Sequence, residues 1–162
     1  MADCPDLQAL LVSSFGLTSS TIEANARAIY DAHYVAETHH THDGLNVIFF
    51  AERFDHAFFR SVNFQAARGA KNEIDKHRCE RIHWISELIR GNVPCSECLL
   101  MPSERTNRPD KRLYVLNSEC FVVWLEPLQS GDWTFSSAYR PMAYQIKKYR
   151  KSAKATIWRY GQ

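Results

Sequence analysis

Four short apolar segments after Pro94 constrain the fold of this chain more than any other feature of its sequence. They are Cys98–Met101, Arg112–Leu116, Cys120–Leu125 and Trp133–Tyr139. Each is rich in β-branched or aromatic side chains and is bounded by turn-like residues, a pattern typical of β-strands. The connections at Asn117–Ser118 and Pro127–Asp132 are too short for a crossover. The last three strands are therefore predicted to run antiparallel.

The part of the chain before Pro94 has mainly helical periodicity. Helices are predicted over Leu7–Phe15, from about Thr21 to Tyr34, and over Lys71–Arg90. Gly16 and Gly91 are placed to end the first and the third of these helices. Leu45–Phe50 predicts a buried strand, and Arg53–Arg68 a loop with a short helix. The predicted fold class is α+β, with N-terminal helices packed on a mostly antiparallel sheet of four to five strands.

The size and composition of the chain predict a single domain. Its 162 residues are 45% hydrophobic and 12% aromatic, which favours one packed core. Within it we distinguish a helical N-terminal extension (1–44), a core (45–141) and a basic, aromatic C-terminal segment (142–162). No apolar run is long enough to cross a membrane, the start of the chain is acidic, and the five cysteines are odd in number. These features predict a cytoplasmic protein with free thiols and no membrane partner.

The charge of the chain is distributed unevenly. The net charge is +2, but the residues from Tyr139 onward hold seven Lys and Arg and no acidic residue. Basic and aromatic side chains alternate there, as in grooves that bind single-stranded nucleic acid. Its candidate nucleic-acid contacts are Lys147, Lys148, Arg150 and Lys151. The alternative is a surface helix with Tyr144, Ile146 and Tyr149 facing the core.

Three further residues are candidates for acid–base chemistry or anion binding. His56 follows the strand predicted at Leu45–Phe50, where a side chain is held rigidly and can face a cleft. Arg78 and Arg81 fall within the apolar stripe of the helix predicted over Lys71–Arg90, which suggests an anion site or a buried ion pair. The alternatives are a hydrogen-bonded core histidine and two arginines that extend to solvent.

The last strand and a cysteine pair hold the remaining candidates. In Trp133–Tyr139, strict alternation places Ser137 and Tyr139 on one face, where they could bind a phosphate oxygen or form an ordinary surface. Cys95 and Cys98 have the spacing of half a zinc site. The other ligands would have to come from His39, His40 and His42, so that coincidence is the simpler interpretation.

Taken in order, these segments resemble the phage-associated members of the barnase, EndoU, colicin and RelE-like (BECR) nuclease superfamily. The resemblance runs from about Leu45 to Pro141. It consists of a strand leading to His56, the helix around Arg81–Ile89, a proline-marked entry into strands, and the segment Phe135–Tyr139, where the family often has Phe-x-Thr-Ala-Tyr. Ser137 stands here in place of the family threonine.

The resemblance implies a ribonuclease, a hydrolase that needs neither a metal nor another cofactor and in which an RNA 2′-hydroxyl attacks the adjacent phosphodiester. By this resemblance His56 would be the acid or base. Arg81, with Lys111 or Arg112, would stabilise the phosphorane, and Ser137 and Tyr139 would hold the phosphate. The implied partners are RNA, single-stranded or structured, and an immunity or antitoxin protein of a toxin-like or phage-associated system.

Two other functions are compatible with the same residues. One is a non-catalytic nucleic-acid-binding or phage accessory module that keeps the fold and the basic segment 142–162. The other is an interaction domain stabilised by zinc at Cys95 and Cys98. Cleavage in the presence of a chelator, binding without cleavage, and stoichiometric zinc distinguish the three.

Overall fold

A computed structural model of the chain describes residues 5–12, 18–60 and 73–162. The helices are α1 (Ser19–Tyr30), which continues as a π-helical segment over Asp31–Val35, α2 (Arg53–Phe58), α3 (Lys76–Glu80), α4 (Ile82–Ile89) and α5 (Ala143–Ser152). The strands are β1 (His39–His40), β2 (Asn46–Ile48), β3 (Phe59–Arg60), β4 (Glu73–Ile74), β5 (Ser96–Met101), β6 (Lys111–Leu116), β7 (Phe121–Pro127), β8 (Trp133–Tyr139) and β9 (Ala155–Arg159). None of the helices in these ranges is long and apolar enough to span a bilayer.

The main sheet has seven strands in the order β1-β2-β8-β7-β6-β5-β9. Strands β6 to β8 form the predicted antiparallel series, β5 also pairs antiparallel with β6, and β8 has the predicted bounds. The α+β class is confirmed, but the expected four to five strands are too few. β9 pairs antiparallel with β5, and the short strands β1 and β2 extend the other edge, where β2 runs parallel to β8.

The two faces of this sheet carry cores of different size. On the first face α1, α2 and α4 bury a large cluster that includes Tyr30, Phe58, Trp84 and Phe135. On the second face α5 covers a smaller cluster through Ile146. We call these the helical face and the α5 face.

The N-terminal region differs from the prediction. The helix α1 begins with a capping box, in which the Thr18 hydroxyl accepts a hydrogen bond from the Thr21 amide at 3.2 Å. Before it, residues 7–10 form a turn and residues 11–12 are irregular. The rest of the predicted helix Leu7–Phe15, with Gly16, lies outside the described residues.

The single helix predicted over Lys71–Arg90 is divided at Arg81. Its backbone there has φ −99° and ψ 15°, which ends α3 and begins α4. Asp75 caps α3 by accepting a hydrogen bond from the Arg78 amide at 3.2 Å, and residues 71–72 lie outside the described part of the chain. Arg81 therefore lies at the junction of two short helices and not within one continuous helix.

Candidate active-site cleft

An open cleft of about 750 Å³ lies on the α5 face of the sheet. Strands β5 to β8 contribute its lining together with α5, α2 and the loop after β5. Its polar and aromatic lining residues are Arg53, His56, Ser103, Glu104, Lys111, Trp124, Glu126, Ser136, Ser137, Tyr139, Tyr144, Gln145, Lys148, Tyr149 and Ser152. Three separate regions of the sequence therefore bring acid–base, cationic and hydroxyl groups together.

A β-bulge in β8 directs two adjacent hydroxyls into the cleft. In the pairing of β7 with β8, Trp124 lies opposite Ser137 and Leu125 lies opposite Phe135, so Ser136 is the extra residue. Strict alternation predicts that Ser137 and Phe135 share a face, but Phe135 is fully buried in the helical core whereas Ser137 lines the cleft. Bulges redirect side chains in this way, and here both serines reach one site.

Glu126 provides a carboxylate in the cleft that contacts several of the other polar residues. Its Oε1 lies 3.3 Å from Lys111 Nζ and accepts a hydrogen bond of 3.5 Å from the Ser136 hydroxyl. Its Oε2 accepts a hydrogen bond of 3.4 Å from Arg53 Nη2. The carboxylate is 31% exposed, so it remains accessible to a ligand while two cations and a hydroxyl hold it in place.

The short helix α2 brings His56 into the cleft that Glu126 also lines. Phe54, Ala57 and Phe58 anchor the helix because all three side chains are buried against the helical core. Arg53 and His56, three residues apart, lie on the other side of the helix and both line the cleft. His56 is exposed, so that an imidazole and a carboxylate from different elements face the same open space.

An aromatic wall closes the side of the cleft next to α5. Trp124 Nε1 donates a hydrogen bond of 3.0 Å to Tyr139 Oη, which is 2.8 Å from Tyr149 Oη. Burial, followed by the hydrogen bond with Tyr139, raises the pKa of Tyr149 above its ordinary value. Tyr144 is 67% exposed at the rim. The wall therefore has a fixed hydrogen-bonded part and one free aromatic face.

Five of the residues predicted from the sequence meet in the cleft. They are His56, Lys111, Ser137, Tyr139 and Lys148. They come from α2, β6, β8 and α5, so their proximity depends on the sheet order. Tyr144, expected to face the core if the segment is structural, is instead exposed, whereas Ile146 is buried and Tyr149 partly buried.

Arg78 and Arg81 lie outside the cleft, in a neighbouring pocket of about 460 Å³ that we call the arginine pocket. Arg78 is committed to the fold: its Nε is 3.3 Å from Asp75 Oδ2, and its Nη1 donates a hydrogen bond of 3.0 Å to the Ala57 carbonyl. Arg81 donates from Nη1 to the His77 carbonyl at 2.9 Å. Tyr139 lines both the cleft and the arginine pocket.

Arg112 faces away from the cleft because it alternates with Lys111 along β6. It forms a two-pronged ion pair with Asp43, with Nη1–Oδ1 and Nη2–Oδ2 distances of 2.8 and 2.9 Å. Its guanidinium also lies over the Trp133 ring, 4.9 Å from the centroid. The predicted contact of Arg112 with RNA is thus replaced by a structural link between the β1–β2 loop and the sheet.

Replacing Asp43 with Asn is expected to lower the free energy of unfolding by about 2–3 kcal/mol, because it leaves the buried Arg112 without its carboxylate while Asp43 itself is partly exposed. The Arg112 hydrogen bonds hold the pKa of Asp43 well below its ordinary value. The stabilisation is therefore present above the unfolded-state pKa of about 3.9 and is lost as the pH falls below it. Denaturant unfolding of Asp43→Asn at neutral and acid pH measures this difference, with the exposed Glu52→Gln as control. Equal stability of the two variants at neutral pH would contradict it.

The basic C-terminal segment 142–162 is partly structural. Arg150 Nε lies 2.7 Å from Oε1 of the buried Glu97, which also pairs with Arg159. Lys147 and Lys151 are exposed on α5 and are not among the cleft residues, in contrast to Lys148. Deletion of this segment would remove β9 and would not isolate a binding effect.

Sequence reasoning missed Glu126, Arg53 and Ser136. Glu126 lies one residue beyond the predicted end of its strand, where a charged residue beside Pro127 suggested a turn. Arg53 stands three residues before His56, but the short helix predicted within Arg53–Arg68 had no bounds, so the helical face that the two residues share was not identified. Ser136 was assigned to the opposite face because a bulge leaves no clear mark in the sequence.

The cysteine pair does not form a compact ligand set. Cys95 is exposed, whereas Cys98 is fully buried. Among residues 5–12, 18–60 and 73–162 there is no group of three or more His, Cys, Asp or Glu side chains placed to hold a metal ion. The cleft is thus the candidate site with the most complete set of chemical groups.

No protein-family model, no curated protein and no solved structure matches this chain.

Proposed function

We propose that this chain is a metal-independent endoribonuclease whose active site is the cleft around Glu126 and His56. The observation that carries the proposal is the meeting of a carboxylate, an imidazole, cations and two hydroxyls in one open cleft. A phosphodiester needs these groups for cleavage by its own 2′-hydroxyl: a base, an acid and positive charge around the phosphorane. The BECR-like assignment of the fold is part of the same proposal.

In the proposed reaction Glu126 is the general base and His56 is the general acid. Glu126 accepts the proton of the 2′-hydroxyl as its oxygen attacks phosphorus. The bond from phosphorus to the 5′-oxygen breaks, and the imidazolium of His56 gives its proton to that oxygen. The products are a 2′,3′-cyclic phosphate and a free 5′-hydroxyl, so protons and bonds balance without another reactant.

The cationic groups that flank Glu126 are placed to stabilise the charge that develops on the phosphate. Lys111 lies 3.3 Å from Glu126 Oε1, and Arg53 approaches Oε2 at 3.4 Å. A phosphate next to the carboxylate would meet the same two cations. Ser137 offers a hydroxyl donor to a non-bridging oxygen, which is the phosphate-holding role that the sequence resemblance implies for it.

The rim of the cleft favours single-stranded RNA as substrate. Tyr144 offers an exposed ring on which an unpaired base can stack, and Lys148 provides a cation for the backbone. Tyr139 contributes through its hydroxyl network to the shape of the wall. A cytoplasmic, toxin-like or phage-associated role with an immunity partner extends this proposal on the sequence resemblance alone.

The second candidate is a non-catalytic RNA-binding module. The observation in its favour is that both oxygens of Glu126 are already engaged by Arg53, Lys111 and Ser136. In this function the carboxylate orients the cations toward phosphates and accepts no proton. In that case the cleft binds RNA and releases it uncleaved.

Incubation of the purified protein with RNA in excess EDTA separates the two functions. The ribonuclease proposal expects fragments that end in a 2′,3′-cyclic phosphate, at a rate that the chelator does not change. RNA in which each 2′-hydroxyl is methylated should bind and remain intact. Binding of unmodified RNA without cleavage under all conditions tested would replace the enzyme with the binding module.

Lys148→Gln is expected to weaken RNA binding and to reduce the slope of log affinity against log salt by about 0.7, the value for one lost phosphate contact on a single strand. Lys147→Gln is a matched control, because Lys147 is exposed on the same helix but does not line the cleft. Affinity measured over a salt series tests the difference. The same loss in both variants would show that α5 attracts RNA only through its general charge.

A further inference from the structure

The arginine pocket has the composition of an anion site. Its ionisable lining residues are Arg60, Asp75, His77, Arg78, Arg81 and Arg140. Cationic groups thus outnumber the single carboxylate. The pocket opens beside the first residue of α5, Ala143, where the helix dipole adds a small positive field.

Two of the four arginines are neutralised by carboxylates within the fold. Arg78 pairs with Asp75 at 3.3 Å, and Arg60 Nη2 lies 3.5 Å from Glu73 Oε2. These pairs account for Asp75, the one acidic residue of the lining. The positive charge that remains belongs to Arg81 and Arg140.

Arg81 and Arg140 have no such carboxylate. In the described part of the chain, neither has an acidic group within ion-pair distance, and Arg81 Nε is buried without a hydrogen-bond partner. Burial and then the charge of Arg140 lower the pKa of Arg81 below its ordinary value. The segment 61–72, which joins Arg60 to Glu73, contains no Asp or Glu. Two guanidiniums that line one pocket without an ion-pair partner favour the binding of an anion there.

The arginine pocket is adjacent to the cleft through one shared residue. Tyr139 lines both cavities, and its hydroxyl is held by Trp124 and Tyr149 on the cleft side. A ligand that passes this ring goes from the carboxylate and histidine to the two arginines. A polynucleotide, with a phosphate in every repeat, has the chemistry to bind at both places.

We propose that Arg81 and Arg140 bind a backbone phosphate of the same RNA strand whose neighbouring phosphodiester occupies the cleft. This inference rests on the proposed function, since it takes the cleft as the place where RNA binds. It makes the substrate a strand that extends beyond the scissile dinucleotide. Affinity should therefore increase when the ligand becomes long enough to reach past Tyr139.

The test measures binding of non-cleavable 2′-O-methyl RNA, as a dinucleotide and as a hexanucleotide, by fluorescence anisotropy. Arg140→Gln is the informative variant, because Arg140 is exposed and contributes only positive charge to the pocket. Arg140→Lys restores the charge. Arg90→Gln is the matched control, because Arg90 is an exposed arginine that lines neither the cleft nor the arginine pocket.

The expected result is a loss of about five- to tenfold in affinity for the hexanucleotide in Arg140→Gln, with the dinucleotide unchanged. The salt slope for the hexanucleotide should fall by about 0.7, and Arg140→Lys should recover most of the affinity. An equal loss for both ligands, or a loss no larger than in Arg90→Gln, would overturn the inference. The inference would also be overturned if Arg140→Gln weakened the binding of inorganic phosphate but not the binding of RNA. In that case the pocket would bind a free phosphate.

These outcomes are distinct from failure of the ribonuclease proposal. If the wild-type protein cleaves no RNA but shows the Arg140-dependent gain with length, the enzyme is excluded and the second phosphate site stands. If it cleaves RNA and Arg140→Gln has no effect that depends on length, the cleft stands and the second site is excluded. Because the methylated ligands cannot be cleaved, catalysis does not influence the binding result.

Discussion

Glu126→Gln is expected to lower the rate of RNA cleavage by about two to four orders of magnitude, the range usually lost with a proton-transfer group. Glutamine keeps the shape of the side chain and can still accept the hydrogen bond from Ser136, but it cannot take a proton from the 2′-hydroxyl. The loss should therefore appear in kcat. RNA affinity should be unchanged or slightly higher, because a negative charge leaves the cleft.

Single-turnover cleavage together with binding of methylated RNA measures the two effects separately. Glu104→Gln is the matched control, since Glu104 is an exposed carboxylate that also lines the cleft. Both variants should unfold at the wild-type denaturant concentration. A Glu126→Gln protein that cleaves at the wild-type rate would remove Glu126 from the chemistry and leave it as an organiser of Arg53 and Lys111.

His56→Ala is also expected to lower the rate of RNA cleavage by about two to four orders of magnitude, because the leaving 5′-oxygen then departs without a proton donor. The side chain lies on the exposed side of α2, whereas Phe54, Ala57 and Phe58 hold the helix in place. The substitution should therefore affect catalysis more than folding.

The control for this variant is His40→Ala, which removes an exposed histidine outside the cleft. Circular dichroism and thermal unfolding establish that both proteins are folded. Undiminished cleavage by folded His56→Ala would show that another group protonates the leaving oxygen. A loss of affinity for methylated RNA as large as the loss of rate would show that His56 positions the substrate and does not transfer the proton.

Local sequence determined the central sheet of this protein. Strands β6, β7 and β8 are adjacent along the chain, and their short connections leave antiparallel pairing as the only arrangement. The bounds of β8 agree with the prediction because the segment begins and ends with aromatic residues and follows a turn-like connection. The placement of His56, Lys111, Ser137 and Lys148 on or beside these elements explains why sequence reasoning found part of the cleft.

The orientation of individual side chains required more than local pattern. The break at Arg81 separates α3 from α4, although the residues around it have helical periodicity. Arg112 is a basic strand residue like Lys111, and only the β1–β2 loop, which brings Asp43 to it, distinguishes a structural ion pair from a ligand contact.

Sequence alone thus determined the α+β class, the antiparallel series and the general position of the histidine and the hydroxyls, because these depend on periodicity and on connection length. Tertiary structure decided which charges are neutralised and which face a ligand. Glu126 meets Arg53 and Lys111 through contacts between residues far apart in the chain. The bulge at Ser136 depends on the pairing of two strands. Neither kind of information is present in the spacing of residues along one segment, because both arise only when separate elements pack together.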